Sequence, residues 1–226
     1  MTPELARRLH AMLREGEETE RTVFFSDAVF AIAMTLLVLD LKVTERTPAE
    51  GLSQAIMDKW PDFLAFVLSF VLIAAVWVQH HRRFKAIERY DQTLQVLNLT
   101  LLLFVALIPM PTSLLFSRND GSIGPQVLYA SVLAGCFLTL DACWIYAWRA
   151  GLMAPPMCSE YHSRTLWAGL PSGLIMLASV PISFVWPGPA VLMWLLSLPT
   201  SIVLGRVLNP IRVSPSPIPA EASAVA

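Results

Sequence analysis

The sequence predicts an all-α integral membrane protein whose chain crosses the bilayer six times. The first reason is composition, because 55% of the 226 residues are hydrophobic and only 15% are charged. Soluble domains carry about 25% charged residues. The second reason is that six apolar runs each reach about 20 residues, the length at which a helix crosses a bilayer. The third is an uneven distribution of Lys and Arg between alternate ends of these runs, which is typical of multi-pass proteins.

The predicted spans follow one another with short connections, at 23–43, 61–80, 94–115, 124–148, 165–185 and 189–207. Pro109 and Pro111 predict a kink in the third span, because proline breaks the helical hydrogen-bond ladder. Pro171 and Pro181 are expected to interrupt the fifth span in the same way. The short Pro-Gly-Pro turn around Gly188 predicts a tight hairpin between the last two spans.

The positions of Lys and Arg predict the orientation of the spans. Twelve lie on the side that holds both termini, and four lie on the other side, at Lys42, Arg46, Lys59 and Arg118. Because cytoplasmic ends carry the excess of basic residues, both termini are predicted to be cytoplasmic, in a cell (inner) membrane. No cleavable signal peptide is evident, so the first apolar run is expected to remain as a span.

These features divide the chain into three predicted parts. Residues 1–22 form a cytoplasmic N-terminal segment, and residues 23–207 form the six-helix transmembrane domain. Residues 208–226 are rich in Pro, Ser and Ala and are expected to be a disordered cytoplasmic tail.

Several classes of function lack support in the sequence. The net charge is −1, so there is no basic field for nucleic acid. Cys136, Cys143 and Cys158 have no metal-ligand spacing, and the chain has no catalytic or nucleotide-binding fingerprint. We therefore expect no enzyme activity, no resident cofactor and no metal site.

Polar side chains lie at the start of the first span, where a helix that only anchors a protein in the membrane would not need them. Arg21, Ser26 and Asp27 lie where the apolar helix begins, and polar groups near hydrocarbon are costly unless they are paired. Ser26 and Asp27 suit a helix N-terminus, but the Arg21 guanidinium needs acceptors of its own. Partners expected at the same depth on the second and third spans are Trp77, His81 and Asn98.

An apolar stripe runs along the first helix beyond these polar residues. It comprises Phe25, Ala28, Ile32, Leu36 and Leu39, with Thr35 beside Leu36. Two interpretations remain open from spacing alone. The stripe packs against lipid or other helices, or it lines a pore in which a ring of apolar side chains gates by dewetting.

Asp141 and the adjacent pair His80 and His81 are further titratable residues in or next to predicted spans. Asp141 lies about two turns inside the fourth span, where a carboxylate has either a functional role or a structural pairing with another helix. The neighbouring residues His80 and His81 point about 100 degrees apart on a helix and have no accompanying ligand set, so hydrogen bonding is expected rather than metal binding. His81 is a candidate for titration near neutral pH.

The residues Arg21 to Asp27, RTVFFSD, match the RxxxFSD motif that opens the first helix of the transmembrane protein 175 family. The following AVFAIAMTLLVLDL also resembles the first helix of that family. The resemblance implies a potassium-permeable cation channel of the prokaryotic single-repeat form, in which six-helix subunits assemble as homotetramers. Its partners would then be further copies of the chain, membrane lipid and potassium ions.

The same resemblance implies roles for individual residues. The first helix would line a central pore, with a constriction at Ile32, Leu36 and Leu39 and a hydroxyl from Thr35 nearby. Arg21, Phe25, Ser26 and Asp27 would hold the helix bundle together rather than contact ions.

The alternative function is a small secondary transporter or proton-coupled carrier that uses Asp141 and His81 as titrating groups. The proline-interrupted spans give this alternative slight support.

Overall fold

The computed structural model describes residues 17–41, 60–117, 122–154 and 158–208. Its helices are α1 Glu17–Leu36, α2 Trp60–Phe84, α3 Gln92–Leu107, α4 Pro109–Ser117, α5 Gly124–Arg149, α6 Ser159–Val185 and α7 Pro187–Leu208. A 3-10 turn, Leu37–Asp40, extends α1. Residues 1–16 of the predicted N-terminal segment and 209–226 of the predicted tail lie outside the described residues, as do Lys42, Arg46, Lys59 and Arg118.

The all-α prediction is confirmed. Within the described residues, five stretches are long and apolar enough to cross a membrane, at Arg21–Leu39, Asp62–Phe84, Gln92–Leu115, Gly124–Arg149 and Ser159–Val185. The sixth predicted span corresponds to α7, which is 22 residues long. A single residue, Trp186, separates α6 from α7, so the predicted turn between the last two spans is tight.

The third span consists of two helices, α3 and α4, that meet at Ile108. The break falls where the sequence predicts a kink. Pro109 and Pro111 have no N–H, so the helical hydrogen-bond ladder cannot continue through them. Thr112 stabilises the junction, because both its backbone N–H (3.2 Å) and its hydroxyl (2.8 Å) donate to the Ile108 carbonyl.

The expectation that Pro171 and Pro181 interrupt the fifth span is wrong. Helix α6 runs unbroken through both prolines and begins at Ser159, six residues before the predicted boundary of 165. Hydroxyl groups close to the two prolines donate to backbone carbonyls, one in α7 and one in α6 itself. Ser172 Oγ donates across to the Ser197 carbonyl of α7 (3.3 Å), and Ser183 Oγ donates to the Ser179 carbonyl (2.8 Å).

The helices pack as a bundle in which α6 lies between α5 and α7, while α5 also packs on α3. Helix α1 packs on α2 and α3. The shared core consists of side chains that are fully buried, among them Phe30, Leu72, Leu101, Leu133 and Met176. Large apolar side chains remain exposed on the outer helix faces, as a lipid-facing or subunit-facing surface requires.

Two connections on the Arg21 side of the bundle are joined to each other. Residues Ile87 and Met153 form an antiparallel bridge between the α2–α3 and α5–α6 connections. Arg89 Nη2 donates to the carbonyl of Gly151 (2.7 Å), whose φ of 66° is a left-handed conformation that favours glycine. Asp91 caps α3 by accepting from Leu94 N (2.8 Å).

A cluster of hydroxyl groups links three helices near the opposite end. Ser69 Oγ of α2 lies 3.0 Å from Thr112 Oγ1 of α4 and 2.9 Å from Tyr129 Oη of α5. All three residues are buried. Thr112 also donates to the Ile108 carbonyl, so the Tyr129 hydroxyl is the group that depends most on Ser69 for its hydrogen bond.

We expect Ser69→Ala to lower the free energy of unfolding by about 1 kcal/mol, because the buried Tyr129 hydroxyl loses its partner. The measurement is equilibrium unfolding of the purified protein in detergent micelles. The matched control is Ser131→Ala, which removes an exposed hydroxyl bonded only to its own helix at Val127. Equal effects of the two substitutions would contradict a role for the hydroxyl cluster.

Candidate functional site

Helix α1 has two unlike faces. One face packs into the bundle through four side chains at helical spacing that are 1% exposed or less, namely Ser26, Phe30, Ala33 and Leu37. The opposite face carries Ile32, Leu36 and Leu39, which are 57%, 41% and 60% exposed. Most of the apolar stripe predicted from the sequence is therefore uncovered within one subunit.

A chain of hydrogen bonds at Ser26 of α1 joins three helices. Asn98 Nδ2 of α3 donates to Ser26 Oγ (2.9 Å), and Ser26 Oγ donates to the Thr22 carbonyl one turn earlier (2.8 Å). His80 Nε2 of α2 lies 3.0 Å from Asn98 Oδ1. Because an amide oxygen only accepts, His80 is the donor and holds its proton on Nε2. This Ser26–Asn98–His80 chain is fully buried.

Asp27 joins α1 to α2 separately. Trp77 Nε1 donates to Asp27 Oδ1 (2.8 Å). The expectation that Ser26 and Asp27 lie at a helix N-terminus is wrong, because α1 begins at Glu17 and both residues lie more than two turns inside it. The indole N–H, rather than the helix dipole, therefore stabilises the carboxylate. The indole ring also stacks on the His81 ring, with centroids 5.4 Å apart and planes 26° from parallel. Two α1 side chains thus bind the two neighbouring helices at nearly the same depth.

The structure brings together most of the residues predicted for this network. Ser26 contacts Asn98, Asp27 contacts Trp77, and His81 stacks on Trp77. Arg21 and Phe25 are exposed, and within the described residues neither joins these hydrogen bonds. Thr35 is also exposed, and its hydroxyl donates to the Ile32 carbonyl of its own helix (2.9 Å).

His80, rather than His81, is the histidine that bonds to Asn98, and sequence reasoning missed it. The available signal was spacing, because Val76, His80 and Phe84 recur every four residues and all three are buried. His80 stacks on Phe84 at a centroid distance of 3.9 Å and contacts the Phe30 ring of α1 at 5.4 Å.

Asp141 pairs with Arg83, which lies three residues beyond the predicted end of the second span at residue 80. Arg83 lies in the last turn of α2, and its Nη1 is 2.7 Å from Asp141 Oδ1 of α5. The two side chains are 3% and 4% exposed. Of the two interpretations of Asp141, this geometry favours a structural pairing, and it directs the carboxylate to Arg83 rather than to His81.

Comparison with known proteins places the chain in one family. A family model described as the endosomal/lysosomal potassium channel TMEM175 matches residues 21–109, which include the whole Ser26–Asn98–His80 chain. A crystal structure of a TMEM175 homologue from Chamaesiphon minutus, described as a lysosomal potassium-selective channel homologue, superposes with a TM-score of 0.72 at 29% identity. It covers 83% of this chain and 98% of that one.

Two curated relatives are named potassium channels. The protein from Streptomyces collinus is 39% identical over 150 residues, which are 65% of this chain and 73% of the relative. The protein from Chamaesiphon minutus is 39% identical over 153 residues, which are 66% of this chain and 74% of the relative. This multi-pass α-helical membrane protein therefore belongs to the TMEM175 family.

Proposed function

We propose that the protein is a potassium-permeable cation channel that conducts passively through a central pore. The observation that carries the proposal is the division of α1 into a face fixed to the bundle and an apolar face left uncovered. Hydrogen bonds from α2 and α3 fix the first face. A homotetramer with α1 around its axis would turn the uncovered face toward ions. The names of the two bacterial relatives described above support potassium as the permeant ion.

The constriction is assigned to Ile32, Leu36 and Leu39. These residues are three or four positions apart, so they form one row along α1. Four copies of such a row would make successive apolar rings, and ions pass such rings only when the pore wets or widens. Thr35 lies beside the row, and its oxygen is the one polar side-chain atom proposed near the narrow segment.

Arg21 and Phe25 are assigned to contacts between subunits. They fall on the same exposed row as Ile32 at helical spacing, and both are exposed in the single chain. A guanidinium finds acceptors readily in a neighbouring subunit. Ser26, Asp27, Trp77, His81 and Asn98 instead brace α1 inside its own subunit.

The proposed location is the cell (inner) membrane with both termini in the cytoplasm. The basic residues of the two bridged connections support this orientation, because Lys85 and Arg89 in one and Arg149 beside the other are exposed at the same end of the bundle.

We expect purified protein in liposomes to carry a potassium flux driven by voltage alone. A passive pore needs neither a proton gradient nor a second solute, whereas a carrier is coupled to one. The measurement is potassium efflux from liposomes under an imposed potential, with protein-free liposomes as the control. A flux that saturates at a low rate and requires a proton gradient would contradict the channel proposal and indicate a carrier.

We expect Ile32→Ser and Leu36→Ser to raise the potassium leak, because a hydroxyl ring wets more readily than an apolar ring. The measurement is current across planar bilayers at fixed protein density, together with the potassium-to-sodium permeability ratio. Leu103→Ser is the matched control, since Leu103 is an exposed leucine on α3. Wild-type currents from both α1 variants would contradict the assignment of α1 to the pore lining.

We expect Trp77→Phe and Arg21→Ala to fail in different ways. Trp77→Phe keeps the ring but removes the donor to Asp27, so the subunit should lose about 1–3 kcal/mol of stability. Arg21→Ala should leave subunit stability unchanged and reduce the tetramer fraction. Unfolding in detergent and size-exclusion chromatography with light scattering separate the two effects.

The controls are Trp167→Phe and Arg82→Ala, which alter exposed residues of the same types. A normal tetramer fraction for Arg21→Ala would contradict its assignment to the subunit contact. An unchanged free energy of unfolding for Trp77→Phe would contradict a stabilising role of the Trp77–Asp27 hydrogen bond between α2 and α1.

A further inference from the structure

The end of α2 contacts a different helix with each of three side chains. Trp77 donates to Asp27 of α1, His80 donates to Asn98 of α3, and Arg83 pairs with Asp141 of α5. The three residues are three positions apart, within two turns of one rigid helix. A displacement of Arg83 would therefore move the two residues that hold α1.

The Arg83–Asp141 ion pair is expected to contribute little to the free energy of unfolding. Both side chains are almost completely buried, so the attraction between them must offset the loss of hydration of two ions. Asp141 Oδ2 is also buried and has no hydrogen-bond partner among the described residues. Apolar side chains of similar volume often stabilise such a site equally well, so a geometric role accounts for the pair better.

Helix α6 provides the space that the guanidinium occupies. A Cβ atom built on Gly169 would lie 2.0 Å from Arg83 Nη2, 3.0 Å from Asp141 Oδ1 and 3.1 Å from Gln79 Oε1. The 2.0 Å separation is too short for a Cβ atom, so a side chain at position 169 would displace the Arg83 guanidinium. The observed position of Arg83 thus requires glycine at 169, and three helices meet at this point.

We propose that the Arg83–Asp141 pair, seated against Gly169, sets the position of α1 through the end of α2. Arg83 and Asp141 are positioning residues in this assignment, and they touch neither ions nor the constriction. The effect on α1 stands on the contacts above, while any effect on conduction rests on the proposed channel function.

The test compares two Gly→Ala variants of α6 that lie one turn apart. Gly169→Ala displaces the guanidinium without removing a charge. Gly173→Ala is the matched control, because its Cβ would lie 2.9 Å from the apolar Leu138 Cδ2. The first measurement is hydrogen–deuterium exchange of the α1 amides between Arg21 and Leu37 in the full-length protein. The second is single-channel recording.

Gly169→Ala is expected to raise exchange in α1 by roughly 2-fold to 30-fold, although the substitution lies on α6. Gly173→Ala is expected to leave α1 exchange unchanged. In recordings, Gly169→Ala and Asp141→Asn should shift the open probability in the same direction, with unitary current and ion selectivity preserved. A purely local structural role would change exchange only in α5 and α6.

The proposal is overturned if Gly169→Ala and Gly173→Ala give the same α1 exchange, or if Gly169→Ala alters the unitary current instead of the open probability. If Gly169→Ala does not assemble, the double variant Arg83→Met with Asp141→Leu takes its place, since it leaves no unpaired buried charge. Wild-type α1 exchange in that variant also overturns the proposal. A wild-type protein that carries no potassium current refutes the channel function, while the exchange data still decide the positioning role.

Discussion

The hydrogen-bonded chain from His80 through Asn98 to Ser26 determines how α1 is turned about its own axis. Its members have no exposed surface, and inside an apolar bundle no water replaces a lost partner. A rotation of α1 by one residue, about 100 degrees, would withdraw Ser26 from Asn98 and leave the buried Asn98 amide nitrogen without its acceptor. The side of α1 that remains uncovered follows from this constraint, whatever surrounds the subunit.

Two contacts near Ser26 and Asp27 could be predicted from the sequence. Polar residues at the end of an apolar run require partners, and matching depths on adjacent spans pointed to Trp77 and Asn98. Both contacts are present in the structure. The four-residue spacing of Trp77 and His81 predicts a shared face, and the two rings do stack. It does not show which side chain on the next face reaches Asn98, and that residue is His80.

Other features escaped prediction because they depend on what packs beside a residue. In the sequence, Arg83 is one of several basic residues that follow an apolar run, and nothing distinguishes it from its neighbours. Its burial becomes evident only from its contacts with Asp141 and Gly169 in the folded chain. Pro171 and Pro181 read as helix breakers, but α5 and α7 enclose α6 and the helix continues through both. Pro109 does break its helix, since a second proline follows two residues later and the ladder fails twice within one turn.

The division of the third span at Ile108 has a mechanical consequence. The α3 half holds Asn98, and the α4 half holds Thr112, which is bonded to Ser69. A membrane protein in a bilayer of unsuitable thickness must tilt or bend its helices, and a proline junction is the softest place to bend. A bend at Ile108 would therefore change the tilt of α4, and with it the Thr112–Ser69 contact, while α3 keeps Asn98 in place beside Ser26.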